Sequence, residues 1–197
     1  PGGQLGFEPV QIDSGDASGW VKSITDELDA LPNVTRLAAT SATGYYDQNF
    51  ITLLERRPAQ SWVYERVWKV RAGQVLLACG ALERPLVFPN NDRPGVMLLH
   101  ACAQYAKVYG VMPGRRAVIM TNNSSAYAMA DELVRLGLDV AAVVDVGAVA
   151  QPMDTSVEVL AGHSIRNVIG RQTVSAVEVA PLHEAANTAV DARRIDC

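Results

Sequence analysis

A βαβ pattern in the second half of the chain constrains its fold more than any other feature. Ala117–Met120 and Val140–Val144 are short apolar runs, typical of buried strands. Tyr127–Leu136 lies between them, has the length of a helix and ends at Gly137, a residue suited to the end of a helix. Strands joined in this way are parallel neighbours in open α/β sheets. The pattern therefore predicts an α/β fold with a Rossmann-like half.

The turn of this unit stands where a dinucleotide-binding fingerprint, G-x-G-x-x-G, would lie, and its three glycines are missing. The fingerprint positions hold Thr121, Asn122, Asn123, Ser124, Ser125 and Ala126. The glycines normally make the turn, admit the pyrophosphate and allow close packing, and of the replacements only Ala126 suits its position. Asp145, at the end of the second strand, lies where an acid would accept ribose hydroxyls.

Two hypotheses follow for this turn. In one, Thr121, Asn122 and Asn123 donate to a nucleotide at the helix N-terminus and Asp145 binds its ribose. In the other, which the missing glycines favour, the unit keeps the topology without a ligand and a serine of the turn caps the helix.

A second candidate site follows the apolar run Val75–Ala78, which predicts a buried strand. The run stops at Cys79-Gly80, and Gly80 can adopt a positive φ and let a ligand approach the backbone. Because ligands of open α/β sheets bind beyond the carboxyl ends of the strands, this turn is a candidate cofactor contact. The alternative is a strand that simply ends in a turn.

Periodicity and turn residues predict the remaining elements. Ser18 is the expected N-cap of the first helix, and the proline-rich segment Arg84–Pro94 is expected to be an extended linker. The predicted helices cover Trp20–Leu31 and Gly95–Tyr109, and the predicted strands cover Val34–Thr40, Phe50–Arg56, Trp62–Val70, Ser164–Ile169 and Thr173–Ala180.

Composition excludes several classes of function. The 197 residues carry a net charge of −4 with scattered signs, which gives no basic footprint for nucleic acid or for a membrane surface. The longest apolar runs are too short to span a bilayer. Three cysteines without paired spacing indicate neither a disulfide framework nor a zinc site and fit a cytoplasmic, reducing compartment.

The sequence shows no catalytic set and no metal ligands. The three histidines, His100, His163 and His183, are far apart and have no triad-like or metal-like neighbours. His100 is expected to be a packing or surface residue. The charged residues of the linker are expected either to bind an anionic group or to pin the linker to a sheet; they are Arg84, Asp92 and Arg93.

Several motifs resemble known oxidoreductases. The turn Ala78-Cys79-Gly80, followed by A-L-E-R-P, resembles the end of the first dinucleotide-binding domain in flavoproteins of the glutathione reductase type. The continuation, F-P-N-N-D-R-P-G-V-M-L over residues 88–98, resembles the α subunit of heterotetrameric sarcosine oxidase and its relatives, the N-methylglutamate dehydrogenase and opine oxidase subunits. The likeness extends over Gly2-Gly3, Trp20, Tyr45–Asn49, Thr121–Tyr127 and Arg193–Cys197.

This resemblance implies a glutathione-reductase-like fold of two dinucleotide-binding domains, truncated at both ends. Residues 1–88 would be the second half of the first domain, 89–112 a crossing linker and helix, and 113–197 a second Rossmann-like domain with a degenerate glycine motif. The chain would then be an internal fragment that lacks the first βαβ unit. Its first-domain strands would expose an edge and a face, so the fragment is expected to self-associate.

The resemblance also implies a function. The holoenzyme would oxidise the secondary amine of an N-methyl or N-alkyl amino acid with FAD or FMN, and could pass the product to tetrahydrofolate. Its partners would be the other subunits of a heterotetramer. An NAD would be bound mostly upstream of this segment, with Gly2-Gly3 and Ala78-Cys79-Gly80 lining it, and Cys79 replaces the usual threonine. Alternatives are an FAD- and NAD(P)H-dependent reductase of the disulfide type, or a scaffold without catalysis.

Overall fold

The computed structural model describes residues 2–7, 10–59, 62–147, 155–182 and 192–197. These residues form two compact units, one of Gly19–Ala81 and one of Gly2–Ser18 with Leu82–Cys197. Helices and sheets alternate along the chain, which confirms the α/β class. No helix in the described ranges is long and apolar enough to cross a membrane.

The first unit is built around a three-stranded antiparallel sheet in the order β3-β4-β5. The two strands predicted over Phe50–Arg56 and Trp62–Val70 are present, the second beginning at Glu65, and they pair as a hairpin from Phe50↔Arg71 to Arg56↔Glu65. Trp68 Nε1 donates to Glu55 Oε2 over 2.8 Å across this pair. The elements are α1 (Ala17–Ala30), whose first two residues belong to the second unit, β3 (Thr40–Tyr46), β4 (Phe50–Arg56) and β5 (Glu65–Arg71).

Two local predictions in this region are wrong. Ser18 is not the N-cap of α1, because the helix already begins at Ala17 and the Ser18 hydroxyl donates to the Asp16 carboxylate. The strand predicted over Val34–Thr40 begins only at Thr40, since the chain turns after α1 and Ala39 has a positive φ of 49°.

The predicted buried strand Val75–Ala78 is also wrong. Residues 74–88 have no regular secondary structure, and Leu76 is 92% exposed. A buried parallel strand needs hydrogen-bonded neighbours and cover on both faces. Within the described residues of Gly19–Ala81 the sheet is antiparallel and does not extend to this run, so neither requirement is met.

The second unit contains the predicted βαβ unit. Strands β6 and β7 are parallel, with Ile119 opposite Val143, and β8 pairs in parallel on the other edge of β7. The Gly137 φ of +100° ends the connecting helix as predicted. The elements are β6 (Arg116–Thr121), α3 (Ser125–Arg135), β7 (Asp139–Asp145) and β8 (Val159–Ala161).

An antiparallel meander completes this unit, and it confirms the two strands predicted near residues 164–180. Its order is β11-β10-β9, formed by Arg193–Asp196, Ala176–Pro181 and His163–Ile169. A short hairpin of β1 (Gln11–Ile12) and β2 (Gly15–Asp16) precedes α1.

Strand β7 is the centre of the core because both of its faces are covered. Val143 packs with α3 side chains such as Tyr127 and Leu133, whereas Ala142 and Val144 pack against the meander. Alternate residues of a strand point to opposite faces, so this one strand joins the two clusters. Its carboxyl end therefore holds Asp145 rigidly.

Helix α2 (Leu99–Tyr109) begins four residues later than the predicted Gly95. Gly95 has a φ of +103°, which a right-handed helix does not use, and Leu98 is extended. The predicted end is confirmed, because Gly110 closes the helix in the left-handed conformation with φ +65°.

Candidate functional site

The turn between β6 and α3 is closed by hydrogen bonds among its own polar groups. Thr121 Oγ1 donates to the Asn123 carbonyl over 2.8 Å and accepts the Asn123 N–H over 3.2 Å. Asn123 Oδ1 accepts the backbone N–H of Ser125 at 3.0 Å and its hydroxyl at 2.5 Å. Ser124 holds the N-cap position of α3, but its side chain makes no capping hydrogen bond. Asn123 instead accepts the N–H of Ser125, the first residue of the helix, so the expectation that a serine side chain caps the helix is wrong.

Asp145 lies beside this turn and is bonded at both oxygens. It is opposite Thr121 in the β6–β7 register and only 3% exposed. The Tyr127 hydroxyl donates to Asp145 Oδ2, and the Gly147 N–H donates to Oδ1 over 2.8 Å. Burial, and then the hydrogen bond and negative charge of Asp145, raises the pKa of Tyr127 to about 12, so the phenol stays a neutral donor.

The polar groups of this turn are bonded within the chain, which bears on the two hypotheses for it. An acid that binds ribose must present an oxygen to the ligand, and Asp145 presents both to its own chain. The Asn123 side chain occupies the helix N-terminus, where a phosphate would accept hydrogen bonds. The structure brings Thr121, Asn122, Asn123 and Asp145 to neighbouring strand ends. The bonds of Asn123 to Ser125, and of Asp145 to Tyr127 and Gly147, favour the hypothesis of a Rossmann-like unit without ligand.

The Gly2-Gly3 turn, in contrast, is open. Gly2 and Gly3 have φ values of +91° and +46°, and the Leu5 N–H donates to the Gly2 carbonyl over 2.9 Å. A Cβ on Gly3 would meet no other atom within 4 Å. A backbone with positive φ and open space is one that a ligand can approach closely, so this turn fits the contact that the resemblance implies.

The turn Ala78-Cys79-Gly80, in the other compact unit, is exposed and irregular. Gly80 has a φ of +70° and open space around it, which also fits close approach of a ligand. Cys79, which follows the predicted buried strand, is exposed. The cause is the same as for Val75–Ala78: the strand that would bury it does not form.

Sequence reasoning missed a polar cluster at the start of α2. Glu83 accepts the backbone N–H groups of Leu99 (3.2 Å) and His100 (2.9 Å), and so caps the helix. His100 Nδ1 lies 3.4 Å from Gln4 Nε2, and the Phe7 ring packs edge-on against the imidazole at 5.8 Å. The cap lies sixteen residues before the helix, which is too far for a capping pattern to reveal it.

The linker is pinned to the meander, as one of the two hypotheses for it proposed, but through uncharged groups. Asn90 Nδ2 donates to Asn167 Oδ1 over 2.7 Å, and the Pro94 carbonyl accepts two hydrogen bonds from the segment before β10 at 2.9 and 3.0 Å. Arg93 Nε is buried without a hydrogen-bond partner.

Of the other two histidines, the one that the structure describes is not part of the polar cluster at the start of α2. His163 Nδ1 is 2.7 Å from the Ala161 carbonyl, and His183 lies outside the described residues. In the part of the chain that the structure describes, no group of three His, Cys, Asp or Glu side chains is placed to hold a metal ion.

Comparison with known proteins identifies relatives of most of the chain. It is 45% identical over 151 residues, 74% of its length, to sarcosine oxidase subunit alpha of Rhizobium meliloti strain 1021. It is 39% identical over 188 residues, 88% of its length, to the subunit of the same name from Corynebacterium sp. strain P-1. The chain spans only 15% and 19% of these two relatives. No family model matches it.

A solved structure has the same fold. The L-proline dehydrogenase of P. horikoshii matches 98% of the chain with a TM-score of 0.64, at 19% sequence identity and over 32% of its own length. The resemblance expected from the sequence motifs is confirmed by the two relatives: this chain is related, over about three quarters or more of its length, to a segment of the sarcosine oxidase α subunit.

Proposed function

We propose that this chain is a segment of the α subunit of a sarcosine-oxidase-like oxidoreductase that acts on secondary amines of N-methyl or N-alkyl amino acids. The observation that carries the proposal is the 39% identity to a sarcosine oxidase α subunit over 88% of the chain, an alignment long enough to include both compact units. Its partners would be the other subunits of a heterotetramer in the cytoplasm.

The segment itself would contribute scaffold and not chemistry. Oxidation of a secondary amine transfers a hydride from the carbon beside the nitrogen to a flavin, FAD or FMN, and the imine is hydrolysed or passed to tetrahydrofolate. Among the described residues, no group of three His, Cys, Asp or Glu side chains is placed to hold a metal ion. We assign the reacting groups to the remainder of the enzyme, as the family resemblance implies.

Within the scaffold, we assign an NAD contact to each of the two open glycine turns, taken by itself. Gly2-Gly3 and Ala78-Cys79-Gly80 both present accessible backbone with positive φ. The closed turn at Thr121–Asn123 with Asp145 takes no part in nucleotide binding in this proposal. The division into residues 1–88, 89–112 and 113–197 of a glutathione-reductase-like fold accompanies it.

A second candidate is a scaffold that binds no nucleotide. The closed hydrogen bonding of Asn123 and Asp145 favours it. A third, a disulfide-type reductase using FAD and NAD(P)H, would need a redox-active cysteine pair. Cys79, Cys102 and Cys197 are free thiols in this structure.

The test is mass spectrometry and absorbance of the nucleotides released from the full-length subunit after its isolation from the native complex. NAD without flavin supports the assignment made here. Released FAD favours the reductase, and an empty subunit favours the scaffold. Independently, the assembled complex is expected to oxidise sarcosine; if it oxidises no secondary amine, the proposed activity is wrong.

A further inference from the structure

A hydrogen-bond donor and a hydrogen-bond acceptor both lie near Nδ1 of the His100 imidazole. Its Nδ1 is 3.4 Å from Gln4 Nε2 and 3.7 Å from Glu83 Oε2. The amide nitrogen of Gln4 only donates hydrogen bonds, and the carboxylate of Glu83 only accepts them. Nδ1 can accept from Gln4 when it carries no proton, and it can only donate, towards Glu83, when it carries one.

Two of the groups near this ring are themselves anchored. Glu83 is fixed by the backbone N–H groups of Leu99 and His100 at the start of α2. Phe7 is buried in the core that includes Ala103 of the same helix, and its ring packs edge-on against the imidazole. The His100 ring is therefore packed against a fixed part of the structure.

Gln4 belongs to the same turn as the two glycines. The turn Gly3–Gly6 is a 3₁₀ helix, closed by the Leu5 N–H on the Gly2 carbonyl (2.9 Å) and by the Phe7 N–H on the Gln4 carbonyl (3.0 Å). Little packs against the turn at Gly3, because a Cβ on this residue would meet nothing within 4 Å. The Gln4–His100 hydrogen bond therefore fixes the turn next to Gly3.

We propose that His100 is a positioning residue that holds the Gly2-Gly3 turn in the conformation that binds a dinucleotide. This inference rests on the proposed function of that turn. Nδ1 of His100 accepts a hydrogen bond from Gln4, and loss of this acceptor releases the turn and weakens dinucleotide binding.

The test compares His100→Leu and His100→Asn in the full-length subunit within its complex, with NAD as the probe in equilibrium dialysis at pH 8.0. Asparagine places an acceptor oxygen near the position of Nδ1, whereas leucine removes the acceptor. We expect H100L to bind NAD roughly fivefold more weakly than the parent, the effect of one net hydrogen bond, and H100N to bind like the parent.

Amide hydrogen exchange of residues 2–7 gives a readout without ligand, and it is expected to be faster in H100L than in the parent or H100N at pH 8.0. The control is His163→Leu, which makes the same change in β9 and is expected to alter neither quantity. Equal NAD affinity of H100L and parent, or an H100N as weak as H100L, overturns the inference while leaving the proposed function intact. A parent that binds no NAD overturns both.

Discussion

Tyr127 and Asp145 are both buried, and each satisfies a polar group of the other. Tyr127 is 1% exposed, and its hydroxyl bonds to a carboxylate that is itself almost inaccessible. Tyr127→Phe keeps the ring but leaves Asp145 Oδ2 without this donor, and an unpaired buried polar group costs about 1–3 kcal/mol. We expect the free energy of unfolding, measured by urea titration at pH 7, to fall by that amount. Tyr109→Phe, at an exposed tyrosine of α2, should change it by less than about 0.5 kcal/mol.

The raised pKa of Tyr127 gives a pH dependence with a definite sign. The folded protein holds the phenol neutral up to about pH 12, whereas an unfolded tyrosine ionises near its ordinary value of 10. The stabilisation is therefore complete below pH 10 and is lost as the pH rises from 10 to 12. Relative to Y127F, the parent should lose on the order of 2–3 kcal/mol of unfolding free energy across this window. Parallel stability curves for the two proteins would contradict the assignment.

At the scale of elements, the sequence predicted best those helices and strands whose partners are close to them in sequence. The β6–α3–β7 unit and the β4–β5 hairpin were predicted because their strands pair with neighbours close in sequence, and residue patterns report such pairing. The run Val75–Ala78 has the composition of a buried strand, but burial requires partners that a local pattern does not contain. The ligand-free form of the β6–α3 turn was only one of two hypotheses from the sequence. The hydrogen bonds of Thr121, Asn123 and Asp145 that favour it depend on side-chain geometry, which a residue pattern does not contain.

The cap at the start of α2 was not predicted from the sequence, and its contribution to stability can be tested. Glu83→Ala removes the acceptor for two backbone N–H groups, and the loss of such a cap costs about 0.5–2 kcal/mol. We expect that decrease in the free energy of unfolding. Glu27→Ala, at an exposed glutamate of α1, is the matched control and should be neutral or slightly stabilising. A Glu83→Ala protein as stable as the parent would show that the cap contributes nothing.

At the scale of the whole molecule, burial is distributed very unevenly. No described residue of Gly19–Ala81 is buried, and Trp62 and Leu76 are 100% and 92% exposed. Among the described strands, β3 and β5 pair only with β4, so each leaves an open edge. Exposed apolar surface and open edges promote association. We therefore expect the 197-residue chain to self-associate in light scattering, and the double variant Trp62→Lys with Leu76→Lys to associate less. A parent chain that stays monomeric at high concentration would contradict this expectation.

The closed turn at the end of β6 also limits which evolutionary changes are accessible to this fold. Restoring a glycine at Asn123 would remove the cap of α3 before any phosphate compensated for it. Freeing Asp145 for a ribose would require Tyr127 to give up its partner in the core. Each single step towards a nucleotide site therefore passes through a less stable protein, and only simultaneous changes avoid it. A ligand site can therefore evolve with less loss of stability at an open turn such as Gly2-Gly3 than at this closed turn.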